Sequence, residues 1–190
     1  SAFDLDIVVN LKAKGKITDN TYIISNGFKR DQYVQNLARL LNTGYKNCIV
    51  VIDNYEEIKL FDQVVDGNYN VGIRIASEEE PKFQFYTSRL GIGYKNIVPF
   101  YHSEIKNNPK VTLKMLHFFI NTGIRDTAYY WNELLKCMKV YVQLKKECPS
   151  LDSLNIGGGF PIKNSLAFEY DYSYMVSEII GQIKQVCNEN

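Results

Sequence analysis

Short runs rich in β-branched residues alternate with segments of helical spacing from one end of this chain to the other, and that alternation constrains the fold more than any other feature. The runs are Thr21–Ser25, Lys46–Asp53, Asn70–Ala76, Val111–Phe119 and Ser153–Ile156. Between them, Asp31–Leu41 places Tyr33, Val34, Leu37, Ala38 and Leu41 at helical intervals, with Gly44 where a C-cap belongs. Thr127–Glu147 is the clearest helix: Trp131, Leu134, Leu135, Met138, Tyr141 and Val142 line one face, Asp126 is a candidate N-cap, and Pro149 closes the end. Tyr55–Val65, Tyr94–Ile105 and Tyr172–Cys187 read as helices, and Phe3–Leu11 as an opening one. Such alternation makes βαβ units and a parallel sheet the expected outcome. A repeat of roughly 25–45 residues suits a doubly wound sheet or part of a (β/α)8 barrel. An intact barrel has eight strands, so five runs read as part of something larger.

Composition narrows the function by exclusion. Lys and Arg total 22 against 21 Asp and Glu, for a formal charge of +1. No block of one sign stands out, so neither nucleic acid nor an anionic membrane is an expected partner. No apolar run approaches the roughly 18–20 residues of a membrane span, and SAFDLDIVVN lacks the basic-then-apolar pattern of a signal peptide. Cys48, Cys137, Cys148 and Cys187 form no C-x-x-C pair and have no histidine cluster near them, so no metal site is expected. Their scatter over apolar stretches reads as reduced, mostly buried thiols, and the expected compartment is the cytoplasm.

The strand Ser153–Ile156 runs directly into Gly157, Gly158 and Gly159 within LNIGGGFP. Glycines permit positive φ and let an anion approach backbone amides with no Cβ in the way. Amides turned outward in such a loop form a nest for phosphate. In a parallel α/β protein the loop after a strand lies at the C-terminal face, where active sites are built. The alternative is a tight turn that needs glycine for steric reasons only.

LNIGGGFP closely resembles the phosphate-binding loop of the fold-type III pyridoxal-phosphate decarboxylases, the family of the ornithine, diaminopimelate and biosynthetic arginine decarboxylases. Other segments resemble family motifs in the same order. TYIISNGFKRDQYV is similar to a strand-loop-helix carrying N-G-x-K, VGIRIA with TSRLGIG to an L-R-I and S-K-F-G pair, and LHFFINTGIRD to H-F-H-x-G-S. Asn26-Gly27-Phe28-Lys29 and YYWNELL point toward the arginine branch. The resemblance covers nearly the whole chain. It implies an α/β fold, a partial (β/α)8 barrel of five parallel strands alternating with helices, and pyridoxal 5′-phosphate as cofactor. It also implies a small-molecule amino-acid substrate, decarboxylated from arginine to agmatine in polyamine synthesis, with a homo-oligomer as the expected assembly.

By that resemblance Gly157, Gly158 and Gly159 hold the cofactor phosphate through their amides, and Thr122 adds a hydroxyl. Arg74 lies near the phenolic-oxygen side of the cofactor. Phe119 takes the place of the histidine that stacks on the pyridine ring, and a phenyl ring stacks but donates no hydrogen bond. Asn121 replaces a glycine. Plainer readings stand beside these. Arg74 is otherwise a strand arginine paired with one of Glu78, Glu79 or Glu80, and His117 a core histidine bonded to backbone. Phe119 is otherwise a barrel-core aromatic, Tyr170–Tyr174 a helix entry packed on the barrel, His102 a surface residue and Glu78–Glu80 a solvated loop.

The family's Schiff-base lysine, in a stretch like P-x-K-x-N, has no counterpart here, since Lys12, Lys14 and Lys16 sit in or just after the opening helix. Its E-x-G-R acid motif and C-terminal β domain have none either. Residues 1–190 thus read as the central part of a cofactor-binding barrel domain, expected to lack decarboxylase activity alone and to carry no catalytic residue of its own. The competing reading is a non-catalytic barrel relative that serves as a regulatory protein-interaction module, suggested by Phe119 and Asn121.

Overall fold

The computed structural model of the chain describes residues 2–77, 90–120, 122–163 and 168–190. Glu78–Glu80, Asn121 and the first three residues of TSRLGIG lie outside them. The helices are α1 (Ala2–Ala13), α2 (Asp31–Asn42), α3 (Glu57–Val64), α4 (Tyr94–Phe100), α5 (Ala128–Glu147) and α6 (Tyr172–Glu189). The strands are β1 (Ile23–Ser25), β2 (Cys48–Ile52), β3 (Tyr69–Ala76), β4 (Ile92–Gly93), β5 (Val111–Phe118) and β6 (Ser153–Asn155). They form one sheet in the order β1-β2-β3-β5-β6, with β4 attached to the end of β3, and every pairing is parallel. The architecture is the half-barrel expected of a partial (β/α)8 fold, with the two-residue β4 added to the five strands anticipated.

Strand pleating separates two faces. Cys48, Val50 and Ile52 of β2, Val71, Ile73 and Ile75 of β3, and Leu113, Leu116 and Phe118 of β5 join the helix-packed core. Ile49, Val51 and Met115 are buried outside that cluster, on the concave face. The change from odd to even numbering within β5 comes from a register shift beside Val71 and Gly72. Gly72 sits on the concave face, where a Cβ would meet the Met115 Cβ at 3.3 Å and the Ile49 Cγ2 at 3.5 Å. Asn26 Nδ2 and His117 Nε2 are 3.0 Å apart although β2 and β3 lie between their strands, which requires a strongly curved sheet.

The helices follow the periodicity of their residues, since a stripe recurring every three or four positions can bury one face against the sheet. In α2, Val34, Leu37, Ala38 and Leu41 are buried, and Gly44 follows the helix with φ +78°. The N-cap of α5 is Thr127, whose hydroxyl accepts from the Tyr130 amide at 3.2 Å, rather than Asp126. Asp126 instead accepts from the Trp131 indole at 2.7 Å. The helix expected over Tyr94–Ile105 divides into α4 and a wider π-helical turn over Tyr101–Ile105. Pro99 inside α4 has no N–H to donate, and the Lys106 amide reaches back five residues to the Tyr101 carbonyl at 2.8 Å. Among the described residues no helix is long and apolar enough to cross a membrane.

Candidate functional site

A parallel sheet brings all its strand C-termini to one edge, and here that edge collects charge. Lys29, Asp53, Glu57, Arg74 and His117 are all buried. The Lys29 side chain is 0 % exposed, and its Nζ lies 3.4 Å from Asp53 Oδ2, 3.0 Å from Glu57 Oε2 and 3.0 Å from the Gly27 carbonyl. Glu57 Oε2 also accepts from the Asp53 amide at 2.8 Å, so the turn after β2 and the first turn of α3 are fastened together. Arg74 Nη1 approaches Asp53 Oδ1 at 3.6 Å, too long for a hydrogen bond, and that oxygen has no hydrogen-bond partner among the described residues. Two cations thus face two carboxylates. Burial still raises the Glu57 pKa, the neighbouring ammonium only partly opposing it.

Arg74 also lies over the Phe119 ring, 5.3 Å from its centroid. The guanidinium is attracted to the ring face, and the ring borders the glycine loop, its Cδ2 3.5 Å from where a Gly157 Cβ would stand. His117 is 5 % exposed, pairs with the Asn26 side chain, and lies against the side chain and backbone of Asn155. Its pKa is lowered, first by burial and then by Arg74.

The depressed pKa has a measurable consequence. A buried imidazole that resists charging contributes stability above its unfolded pKa of about 6.5, and loses it as pH falls toward the native value. Glu57, with its raised pKa, acts in the opposite sense but is common to both proteins compared. A His117→Phe chain should therefore lose less stability than the wild type between about pH 7 and pH 5, read from urea midpoints. Parallel losses would remove His117 as the source.

Two loops meet above this layer. Gly157 and Gly159 have φ of +73° and +99°, and Gly123 has +78°. The Ile124 amide donates to the Gly159 carbonyl at 3.1 Å. A Cβ on Gly123 would stand 2.5 Å from the Gly159 oxygen, and one on Gly157 would stand 2.9 Å from the Phe118 oxygen. Gly157 and Gly159 are thus glycine for close backbone approach as well as for their φ angles. Gly158 has neither constraint: it is exposed, with nothing within 4 Å of a built Cβ. Gly157 donates to Asn155 Oδ1 at 2.8 Å, while the Gly158 and Gly159 amides have no hydrogen-bond partner among the described residues. Thr122 is half-buried in the facing loop. Exposed amides at a strand end, beside a cation and a ring, suit a phosphorylated planar ligand. Beyond the triplet a groove of about 790 Å³ is lined by residues including Phe160, Pro161, Tyr170, Tyr174, Arg125 and Asp126.

The structure puts Gly157 against Phe119, Arg74 over the Phe119 ring, and Gly159 against Gly123, the residue after Thr122, while Gly158 stands open. The sequence reading missed the Lys29–Asp53–Glu57 cluster and the Asn26–His117 and Asn155–Gly157 bonds. One signal was present, because the lysine of N-G-F-K was already inside a quoted motif. The thiols carry no chemistry at this edge: Cys48, Cys137 and Cys148 are buried, Cys187 is exposed, and burial pushes Cys48 and Cys137 up to about 12. Among the described residues no group of His, Cys, Asp or Glu is placed to hold a metal ion. His102 lies on the surface, 3.1 Å from Glu147.

Comparison with known proteins places this geometry in context. The family described as "Pyridoxal-dependent decarboxylase, pyridoxal binding domain" matches residues 4–190. The biosynthetic arginine decarboxylase of Prochlorococcus marinus (strain MIT 9301) is 26% identical over 186 residues, covering 90% of this chain and 28% of that protein. The chain thus spans little more than a quarter of that relative's length. Among solved structures, lysine decarboxylase from Selenomonas ruminantium superposes with a TM-score of 0.72 at 19% identity, covering 98% of this chain and 46% of the other. An SrLDC mutant solved in complex with PLP gives a TM-score of 0.75 at 19% identity, covering 98% of this chain and 45% of that one. At such identity the structural likeness shows the fold.

Proposed function

The chain belongs to the pyridoxal-dependent decarboxylase family, and from that premise we propose that it forms the phosphate-holding part of a decarboxylase acting on arginine to give agmatine and CO2. The observation that carries the cofactor reading is the glycine triplet, where two exposed amides with no hydrogen-bond partner among the described residues lie beside Phe119 and the Arg74 over it. Gly158 and Gly159 would hold the phosphate of pyridoxal 5′-phosphate, with Gly157 and the Thr122 hydroxyl joining them. Phe119 would cover one face of the ring, and Arg74 would supply positive charge beside it. Pyridoxal phosphate, when bound, supplies the electron sink for the pair left behind as CO2 departs. Phe119 can exclude water from the ring but cannot move a proton there.

Arginine as the substrate, polyamine synthesis as the pathway, a cytoplasmic location and a homo-oligomer belong to this proposal. The substrate rests on the curated arginine decarboxylase relatives. Residues 1–190 are read as the central part of the cofactor-binding barrel domain of a longer polypeptide. Lys29, the lysine in this cluster, is committed to two carboxylates and a carbonyl, which makes it a poor nucleophile. The purified chain is therefore expected to bind pyridoxal phosphate reversibly, seen as quenching of its fluorescence, and to release no CO2 from arginine. Sustained CO2 release above that of free pyridoxal phosphate would overturn the second expectation, and absence of binding the first. Assaying the full gene product with arginine, ornithine, lysine and diaminopimelate tests the substrate, and a higher kcat/KM for any but arginine would displace it. Phe119 in place of a histidine also favours a second reading, a non-catalytic barrel that binds another protein; an inactive full-length product would point there.

A further inference from the structure

Resting on the phosphate-loop reading, we propose that His117 is a positioning residue: it receives the Asn155 side chain when an anion takes over the Gly157 amide. The argument is an accounting of donors and acceptors. The first amide of the triplet is already engaged, donating to Asn155 Oδ1 at 2.8 Å. A phosphate oxygen can use that amide only after the Asn155 oxygen lets go, and a released oxygen in a half-buried place needs a new donor.

His117 holds that donor ready. The Gly27 amide donates to Asn26 Oδ1 at 2.9 Å, so the Asn26 carboxamide is oriented with its Nδ2 toward His117 Nε2, 3.0 Å away. A carboxamide NH2 only donates, so Nε2 accepts, and the proton of the neutral ring belongs on Nδ1. Burial and then Arg74 hold the ring's pKa below its ordinary value, with Asn155 and the Asp53 carboxylate acting the other way. Nδ1 is buried and has no hydrogen-bond partner among the described residues. His117 and Asn155 are register partners on β5 and β6, on the same concave face. The Asn155 side chain and backbone lie close enough to the ring to favour its protonated form, although neither completes a hydrogen bond to the buried Nδ1.

The two states differ by one exchange. In the free chain Asn155 Oδ1 takes the Gly157 N–H, and the His117 Nδ1–H, though close to Asn155, completes no hydrogen bond among the described residues. With phosphate bound, Gly157 donates to the ligand and His117 donates to Asn155 Oδ1. Binding then leaves no released acceptor stranded, and the buried donor has its explanation.

The test is nitrogen-15 NMR on the 190-residue chain, titrated with pyridoxal 5′-phosphate and, separately, inorganic phosphate. The free chain should show His117 in the Nδ1–H tautomer, and saturation should move the Gly157 amide and His117 Nδ1 together. His117→Leu should weaken binding about tenfold, whereas His117→Asn, whose carboxamide offers a donor near the same place, should restore most of it. His117→Leu combined with Asn155→Ala should bind as Asn155→Ala alone does, since no oxygen then needs receiving. An Nε2–H tautomer in the free chain, a Gly157 shift without a His117 shift, or additive losses in the double variant would each overturn the proposal. If His117→Leu fails to fold, the tautomer and the paired shifts in the wild type still decide it. No shift at Gly157, Gly158 or Gly159 with either ligand would instead bring down the phosphate-loop reading itself, and the exchange with it.

Discussion

Replacing Lys29 with methionine is expected to destabilise the chain by about 3–5 kcal/mol, the range for removing one partner from a buried ionic cluster. The lysine is the common partner of Asp53, Glu57 and the Gly27 carbonyl, at 3.4, 3.0 and 3.0 Å. Without it two buried carboxylates lose a cation, and Arg74, 3.6 Å from Asp53, serves only one of them. For a domain whose total stability is on the order of 5–15 kcal/mol, such a loss removes a large part of the margin. Urea unfolding followed by circular dichroism gives the measurement. A change within about 0.5 kcal/mol of the wild type would mean that the cluster is not what holds the β2–α3 turn against the loop after β1. The partial remedy is specific: Lys29→Met with Glu57→Gln should recover stability relative to Lys29→Met, because one uncompensated charge is gone.

The second large effect concerns the meeting of the two loops. Gly123→Ala would put a Cβ 2.5 Å from the Gly159 carbonyl oxygen at a backbone φ of +78°. The left-handed conformation alone costs an L-residue about 1–2 kcal/mol. Relieving the clash must also move the Ile124–Gly159 hydrogen bond of 3.1 Å, which ties the Thr122 loop to the triplet. At about 1.4 kcal/mol per tenfold, pyridoxal phosphate affinity should fall at least about tenfold. Gly158→Ala is the control, since nothing lies within 4 Å of its Cβ and its φ is not positive. It should stay within about 0.5 kcal/mol of the wild type in stability. If both variants bind the cofactor as the wild type does, the Gly123–Gly159 contact has no part in shaping the anion loop.

How much of this was legible beforehand differs by kind of interaction. The strands at Cys48–Ile52 and Tyr69–Ala76 and the helices at Asp31–Asn42 and Ala128–Glu147 lie within one to two residues of where periodicity puts them. Each buries a face of its own, so the pattern that defines it is local. β4 was invisible because two residues carry no period, and its existence depends on pairing with the end of β3. Asp126 and Thr127 are both good capping residues, and only the chain's entry into α5 decided between them.

The triplet was readable because glycine reports on backbone need, and Arg74 and Phe119 because their neighbours matched motifs in order. What each glycine does was not readable: Gly157 is hemmed in by Phe118, Gly159 by Gly123, and Gly158 stands open. The charge cluster was illegible for the same reason. Lys29, Asp53, Glu57 and Arg74 come from separate segments, and nothing in their linear spacing states that β1, β2 and β3 lie side by side. By itself, then, the sequence determined the alternation of elements and the family, because these rest on local periodicity and on motifs in order. Tertiary structure alone decided which buried charges neutralise one another and which amide of the triplet is already taken, because those depend on distances between strands that the chain sets only by folding.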